Sequence, residues 1–268
     1  MDIQTVYDKG IKPVNEDSFL VADPIFGVFD GVSVMEPGAP REDGLTGAAI
    51  ASRIARDVFA SGDGTLIELA LRANDAIRKA MEENGVDWKR KTAQWATTAT
   101  VIRIGNGSFD WLHIGDSVVL VVMNDGSCRI LGSGHGQDRE VLIEWKKLAD
   151  QGIENIRAAM SDTMSTARNS EANYGDLDGD PDIERYLEHG TESLEKVRHI
   201  FLFTDGLVIP KEDPASDDDL RLFVDTFEKR TLEGLRDHVR TLEDADPKCW
   251  KYPRFKQHDD IAAIAISF

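Results

Sequence analysis

The stretch ATTATVIRIGNGSFDWLHIGDSVVLVVMNDGSCRIL, residues 96–131, decides the fold class. Its apolar and β-branched runs are Ala96 to Ile104, Ser108 to Ile114, Val118 to Met123 and Ser127 to Leu131, each of strand length. Between them stand Gly-Asn-Gly, Gly-Asp-Ser and Asn-Asp-Gly, the residues that hairpin turns select. A parallel pair needs a crossover of roughly a dozen residues, so strands this close in sequence imply antiparallel pairing.

Working outward, Ile3 to Asp8, Ser18 to Ala22 and Ile25 to Phe29 read as strands before this block, and His199 to Thr204 and Ile261 to Phe268 after it. Gly44 to Ala60 and Thr65 to Glu82 carry apolar residues at helical spacing: Ile50, Ile54 and Val58 in the first, Leu66, Ala70, Ala73, Ile77 and Met81 in the second. Arg139 to Asp150, Asp217 to Lys229 and Leu232 to Glu243 also read as helices. Helices grouped between strand clusters imply helix layers packed on antiparallel sheet, an α+β arrangement. Residues 154–196 are polar and lack periodicity. No linker divides the chain, so a single domain over 1–268 is expected.

The chain of 268 residues carries 31 basic and 49 acidic side chains, a formal charge of −18. That balance disfavours nucleic acid and anionic membranes, which call for clustered Lys and Arg. The longest apolar runs, Val118 to Met123 and Ile261 to Ile266, are far below the roughly 20 residues of a spanning helix. No signal peptide is visible, and two cysteines, Cys128 and Cys249, are too few for a disulfide scaffold. A cytoplasmic monomer is the expectation.

Six Asp-Gly pairs occur, at 30, 43, 63, 125, 178 and 205. Most read as turns. Asp30 and Asp205 stand apart, because each ends an apolar strand, where an uncompensated carboxylate is costly. Asp116 ends Trp-Leu-His-Ile-Gly-Asp, and Glu16-Asp17 and Asp259-Asp260 each open a strand. Few of these acids have a Lys or Arg directly beside them. Carboxylates gathered without cations repel unless a divalent ion neutralises them, and all-oxygen donors select hard ions such as Mg²⁺ or Mn²⁺.

The order of these sites resembles the protein phosphatase 2C (PPM) family of metal-dependent protein serine/threonine phosphatases, in the manner of a divergent bacterial member. The resemblance rests on six stretches between Val14 and Ile266: Asn15-Glu16-Asp17-Ser18-Phe19, Val28-Phe29-Asp30-Gly31, Ala96-Thr97-Thr98-Ala99-Thr100, Ile114-Gly115-Asp116-Ser117, Thr204-Asp205-Gly206-Leu207 and His258-Asp259-Asp260-Ile261. It implies a four-layer α-β-β-α sandwich with two central antiparallel sheets, and a site for two Mn²⁺ or Mg²⁺ ions at one edge. Asp30 would bridge the ions, with the Gly31 carbonyl on one of them. Asp205 and Asp259 would hold the second, Glu16 and Asp17 would hold metal-bound waters or complete its shell, and Asp116 would reach a more weakly held third ion. Asp30, Asp205 and Asp259 are thus the expected catalytic residues. The polar segment 154–196 would be a flap near the site. The implied reaction is hydrolysis of phosphoserine or phosphothreonine on a phosphoprotein by metal-bound water.

Three positions depart from the family pattern. Val32 stands where a His often follows Asp-Gly and serves as general acid. Lys12 stands in place of an Arg that binds substrate phosphate, and can do so only as a point charge. Val118 replaces the Arg that often follows Gly-Asp-Ser. Two other readings therefore stay open: a weak or inactive phosphatase-like module that binds phosphoprotein, and a phosphatase of a small metabolite. Rival motifs are poor. Asp176-Leu177-Asp178-Gly179 lacks the apolar strand that a nucleophilic Asp-x-Asp requires, Cys249 to Arg254 is one residue short of a cysteine-phosphatase loop, and no P-loop occurs.

Overall fold

The computed structural model describes residues 1–33, 42–161, 163 and 175–268. Among the described residues, the strands are β1 (Asp2–Asp8), β2 (Ser18–Ala22), β3 (Ile25–Phe29), β4 (Gly31–Val32), β5 (Ala96–Thr97), β6 (Ala99–Ile104), β7 (Ser108–Ile114), β8 (Val118–Met123), β9 (Cys128–Leu131), β10 (Glu188–Ser193), β11 (Val197–Phe203) and β12 (Ile261–Ser267). They form two five-stranded antiparallel sheets, ordered β1-β12-β11-β8-β9 and β10-β7-β6-β3-β2, with β4 and β5 as a small separate pair.

Period-2 alternation explains the layers. In β8, Val119 and Val121 join Phe26, Val28, Ile102 and Ile264 in the core between the sheets, whereas Val118, Leu120 and Val122 face the opposite way. There they meet Phe223, Phe227, Leu235 and Val239 of the helix Leu220–Asp244. On the other flank, Phe29, Val101 and Leu112 pack against α1 (Gly47–Ala60) and α2 (Leu66–Glu83) through Phe59, Leu69 and Ile77. Strands covered on both faces must be apolar on both, which is why they read as continuous runs. Each such Leu or Phe stabilises the fold by about 1.5–3 kcal/mol. The result is helix, sheet, sheet, helix, as the family resemblance implies.

Local chemistry sets the helix ends. Thr65 caps α2 in a reciprocal capping box with Glu68. The region 217–243, read as two helices, is two helical runs within Leu220–Asp244 that meet at a kink at Thr231, whose φ of 66° and ψ of 178° break the helical path. α3 (Arg139–Asp150) packs Trp145 on the segment around Cys249.

Three sequence expectations need correction. Gly115-Asp116-Ser117 is not a hairpin turn, because β7 and β8 lie in different sheets and this stretch carries the chain across. Gly115 takes a φ of +91°, and a Cβ there would lie 2.5 Å from Thr98 Cγ2. Ala96 to Ile104 is divided at Thr98 into β5 and β6. Part of 154–196 is regular: β10 pairs with β7 from Glu188↔His113 to Ser193↔Ser108. This edge strand alternates half-buried and exposed polar residues, so hydrophobic periodicity does not reveal it. Residues 162 and 164–174 of that segment, the heart of the expected flap, lie outside the described residues.

Candidate metal centre

Strand pairing brings the strand-end acids together. In one sheet, Phe203 at the end of β11 pairs with Val118 at the start of β8 and with Ala263 near the start of β12. Asp205, Asp116 and Asp259 therefore leave the sheet at one edge. In the other sheet, Ser18 opens β2 opposite Phe29, which closes β3. Asp17 and Asp30 thus flank one register position. Antiparallel order alone makes "end of one strand" and "start of the next" the same place.

Threonines fix the Asp30 backbone. Thr98 N–H and the Thr97 hydroxyl both donate to the Asp30 carbonyl, at 2.9 and 2.8 Å, and the Asp30 N–H donates to Thr98 Oγ1 at 3.1 Å. The division of β5 from β6 at Thr98 is what frees these groups. Gly31 is wedged so closely that an added Cβ would lie 2.4 Å from the Glu16 carbonyl oxygen and 2.8 Å from that of Ala48. Thr204 ties β11 to β12, accepting from Ala262 N–H at 2.9 Å, and so sets where Asp205 emerges.

The two closing aspartates divide the work. Asp260 is buried and accepts from the Gly10 and Glu16 N–H groups, both at 2.8 Å, which braces the loop that carries Glu16 and Asp17. Asp259 turns toward the other acids and accepts from Lys256.

The electrostatics are those of a cluster short of positive charge. Burial, then Asp17, Asp205, Asp116 and Asp259, push the Asp30 carboxyl well above the ordinary carboxylate range. Burial and Asp259 do the same to Asp17, and burial and Asp205 to Asp116. Asp205 is raised to about 7 by burial and Asp259. Asp17 is only 2% exposed, yet its Oδ2 and the Oδ1 of Asp205 are buried with no hydrogen-bond partner. Orphaned carboxylate oxygens in an acidic cluster are suitable donors for a hard divalent ion. Among the described residues, however, no three His, Cys, Asp or Glu side chains close a coordination shell.

Cations meet two of these acids, Glu16 and Asp259. The Lys12 ammonium bonds Glu16 and Ser33 Oγ. A phosphate could reach Lys12 only in competition with Glu16. Lys256 sits on Asp259 from three residues earlier in the chain, a reach that reading adjacent residues misses. Asp138 and Asp176 were also missed as neighbours of Asp116, because neither ends an apolar strand. Gln137 Nε2 donates to Asp116 Oδ2 at 2.9 Å.

A cleft of about 480 Å³ opens beside the cluster, lined in part by Asp116, His135, Asp205, Lys211, Lys256 and Asp259, with Leu142, Pro210 and Pro253 as apolar wall. His135 Nε2 bonds Asp218, as a loop-fixing residue would. Burial works to raise the Asp218 carboxyl, but the hydrogen bonds from His135 and Lys211 outweigh it and hold it at about 2. Asp219, not its two predecessors, caps the following helix, accepting from Leu222 N–H at 2.8 Å.

These shifts predict how metal-free protein responds to pH. Asp17, Asp30, Asp116 and Asp205 have folded values above their unfolded ones, so the folded state binds more protons in the interval between. Their contribution to stability is fully present below the ordinary carboxylate range and is lost as pH rises toward and past about 7. In chelator, the melting temperature is expected to be higher near about pH 5 than near about pH 8, and Mn²⁺ should remove most of that difference by favouring the ionised cluster. Equal melting temperatures in chelator at both pH values would show that these acids do not repel.

The chain belongs to the protein phosphatase 2C family, whose model, Protein phosphatase 2C, matches residues 14–244. Its fold is similar to that of several solved bacterial enzymes. The serine/threonine phosphatase Stp1 from Staphylococcus aureus superposes with a TM-score of 0.61 at 17% identity, over 100% of this chain and 94% of that one. The Mycobacterium tuberculosis serine/threonine phosphatase PstP/Ppp gives 0.59 at 18%, over 100% and 98%. The catalytic domain of PstP in complex with two manganese ions gives 0.58 at 17%, over 98% and 96%. No curated protein matches the chain at the level of sequence. Among the described residues, no helix is long and apolar enough to cross a membrane.

Proposed function

We propose that this protein is a metal-dependent phosphatase acting on phosphoserine and phosphothreonine of proteins. The observation that carries the reading is the convergence of Asp17, Asp30, Asp116, Asp205 and Asp259 at one edge of two sheets, with buried, unpartnered oxygens on Asp17 and Asp205. Family membership supports the same reading. Asp30, whose carboxyl feels the charges of both Asp17 and Asp205, is the residue suited to bridge two ions, with the Gly31 carbonyl beside it. Asp205 and Asp259 would hold the second ion, Glu16 and Asp17 would complete the shell, and Asp116 would serve a third. Bound there, Mn²⁺ or Mg²⁺ would supply Lewis-acid charge and activate a water for in-line attack on phosphorus.

The chain's own residues do the rest. Thr97 and Thr98 hold the Asp30 backbone and so fix the point from which its carboxylate leaves the strand. Asp260 fixes the 10–16 loop and with it the spacing of Asp17 from Asp205. The apolar wall of the cleft gives a peptide flanking the phosphorylated residue a surface to lie on. Lys12 would contribute to phosphate binding only by giving up Glu16 and Ser33. A cytoplasmic monomer acting on phosphoprotein is the setting this reading assumes.

The test is hydrolysis of p-nitrophenyl phosphate and of a phosphothreonine peptide. Activity is expected to vanish in EDTA and to return with Mn²⁺ or Mg²⁺, with zinc a poor substitute for all-oxygen donors. Full activity in chelated buffer would reject the metal. A second reading, a phosphoprotein-binding module without turnover, is favoured by Val32, and binding of a phosphopeptide without hydrolysis would establish it.

A further inference from the structure

The Lys256 ammonium donates to both oxygens of Asp259, at 2.6 and 2.7 Å, and its side chain is only 21% exposed. The other cations of the cleft are engaged elsewhere: Lys211 with Asp218, Arg139 with Asp217, Arg254 with Asp246. Lys12 meets Glu16 on the far side.

Nor is Lys256 placed by chance of a loose loop. Arg254, two residues before it, donates to the Asp246 carboxylate and to the carbonyls of Glu243, Asp246, Tyr252 and Gln257. That pins the irregular stretch before β12 to the end of the helix Leu220–Asp244. The lysine is thus presented to the carboxylates by a rigid support.

We propose that Lys256 is a built-in counter-cation of the site, whose ammonium holds Asp259 in the metal-free protein and must be displaced before a divalent ion can use that carboxylate. The inference rests on the phosphatase reading above, in which Asp259 is a metal ligand. One positive charge already in place offsets part of the repulsion that the buried acids exert on Asp259. It also makes the Asp259 position the weaker of the two, because an ion entering there loses the attraction of a carboxylate already paired and meets a like charge.

The experiment is Mn²⁺ binding to the full chain, followed by calorimetry and by the electron paramagnetic resonance of free Mn²⁺. Lys256→Gln is expected to tighten the weaker site by about tenfold or more, since it removes a full charge a few ångströms from the ion. Lys256→Arg, which keeps the charge, should stay near wild type. Metal-free Lys256→Gln should also melt below wild type, because the acids lose their counter-charge. Affinity unchanged or weakened in Lys256→Gln, with Mn²⁺ still bound, overturns this inference and leaves the phosphatase reading standing. Absence of any Mn²⁺ binding by wild type overturns both. A wild-type measurement guards against a variant that fails to fold. Acetylation of Lys256 by acetic anhydride, read by mass spectrometry, should be slow in EDTA and faster once Mn²⁺ displaces the ammonium. Equal labelling with and without Mn²⁺ rejects the displacement.

Discussion

Asp30→Asn and Asp205→Asn are each expected to cut kcat by about 10³-fold or more while leaving the chain folded, as removal of a charge-stabilising group from a transition state commonly does. Both residues end strands whose apolar faces are buried, so the substitution changes no packing. It removes one charge from a cluster in which burial and neighbouring carboxylates push Asp17, Asp30, Asp116 and Asp205 upward, so melting temperature in chelator should hold or rise while Mn²⁺ affinity falls. The controls come from the same dipeptide. Asp43 accepts from the Leu45 N–H, and Asp125 accepts from Ser127 in a hairpin turn, both exposed. Asp43→Asn and Asp125→Asn should leave kcat within about twofold, as surface changes away from a site do. Steady-state kinetics with circular dichroism of each variant decides the matter. If the turn aspartates prove as damaging as Asp30, strand-end position carries no meaning.

The second large effect concerns the leaving group. Val32 lies in β4, paired with Ala96, and brings no proton donor to the position after Asp30-Gly31. His135 lines the cleft, but its Nε2 is engaged by Asp218. General acid help is worth about 10²–10⁴-fold and matters most for a poor leaving group. A serine alkoxide is poor and p-nitrophenolate good, so the protein should favour the aryl ester by about that factor. Across aryl phosphates of rising leaving-group pKa, kcat should fall steeply for wild type and less steeply for Val32→His, provided the imidazole reaches the leaving oxygen. A flat dependence in wild type means that an acid already stands in the cleft, with His135 the first residue to substitute.

The strands β2, β3, β7 and β8 follow from sequence to the residue: β3 and β8 are buried at nearly every position and so read as apolar runs, while β2 and β7 are bounded by the turn residues on either side. The two helices read near 217–243 were legible for a similar reason, and Thr231 ends the first where the pattern breaks. The suspicion attached to Asp30, Asp116, Asp205 and Asp259 was equally local. A carboxylate at the end of an apolar run is costly wherever the strand lies, so its strangeness can be read without knowing its neighbours.

What the acids face could not be read that way. Asp30 and Asp205 stand far apart in sequence and meet only because β3 and β11 end at the same edge of two stacked sheets. The crossing at Gly115 looked like a hairpin, since Gly-Asp-Ser serves either role and only the placement of β7 and β8 in different sheets chooses between them. β10 stayed hidden because an edge strand draws its stability from backbone pairing with β7, which leaves no mark on side-chain hydrophobicity. Lys256 was silent for the plainest reason: a lysine in an irregular stretch is ordinary, and it gains meaning only when Arg254 pins that stretch and Asp259 turns to meet it. Burial and turn chemistry are short-range and are written in the sequence. The balance of charge at a site depends on which chain ends arrive there, and that was decided by the pairing of strands.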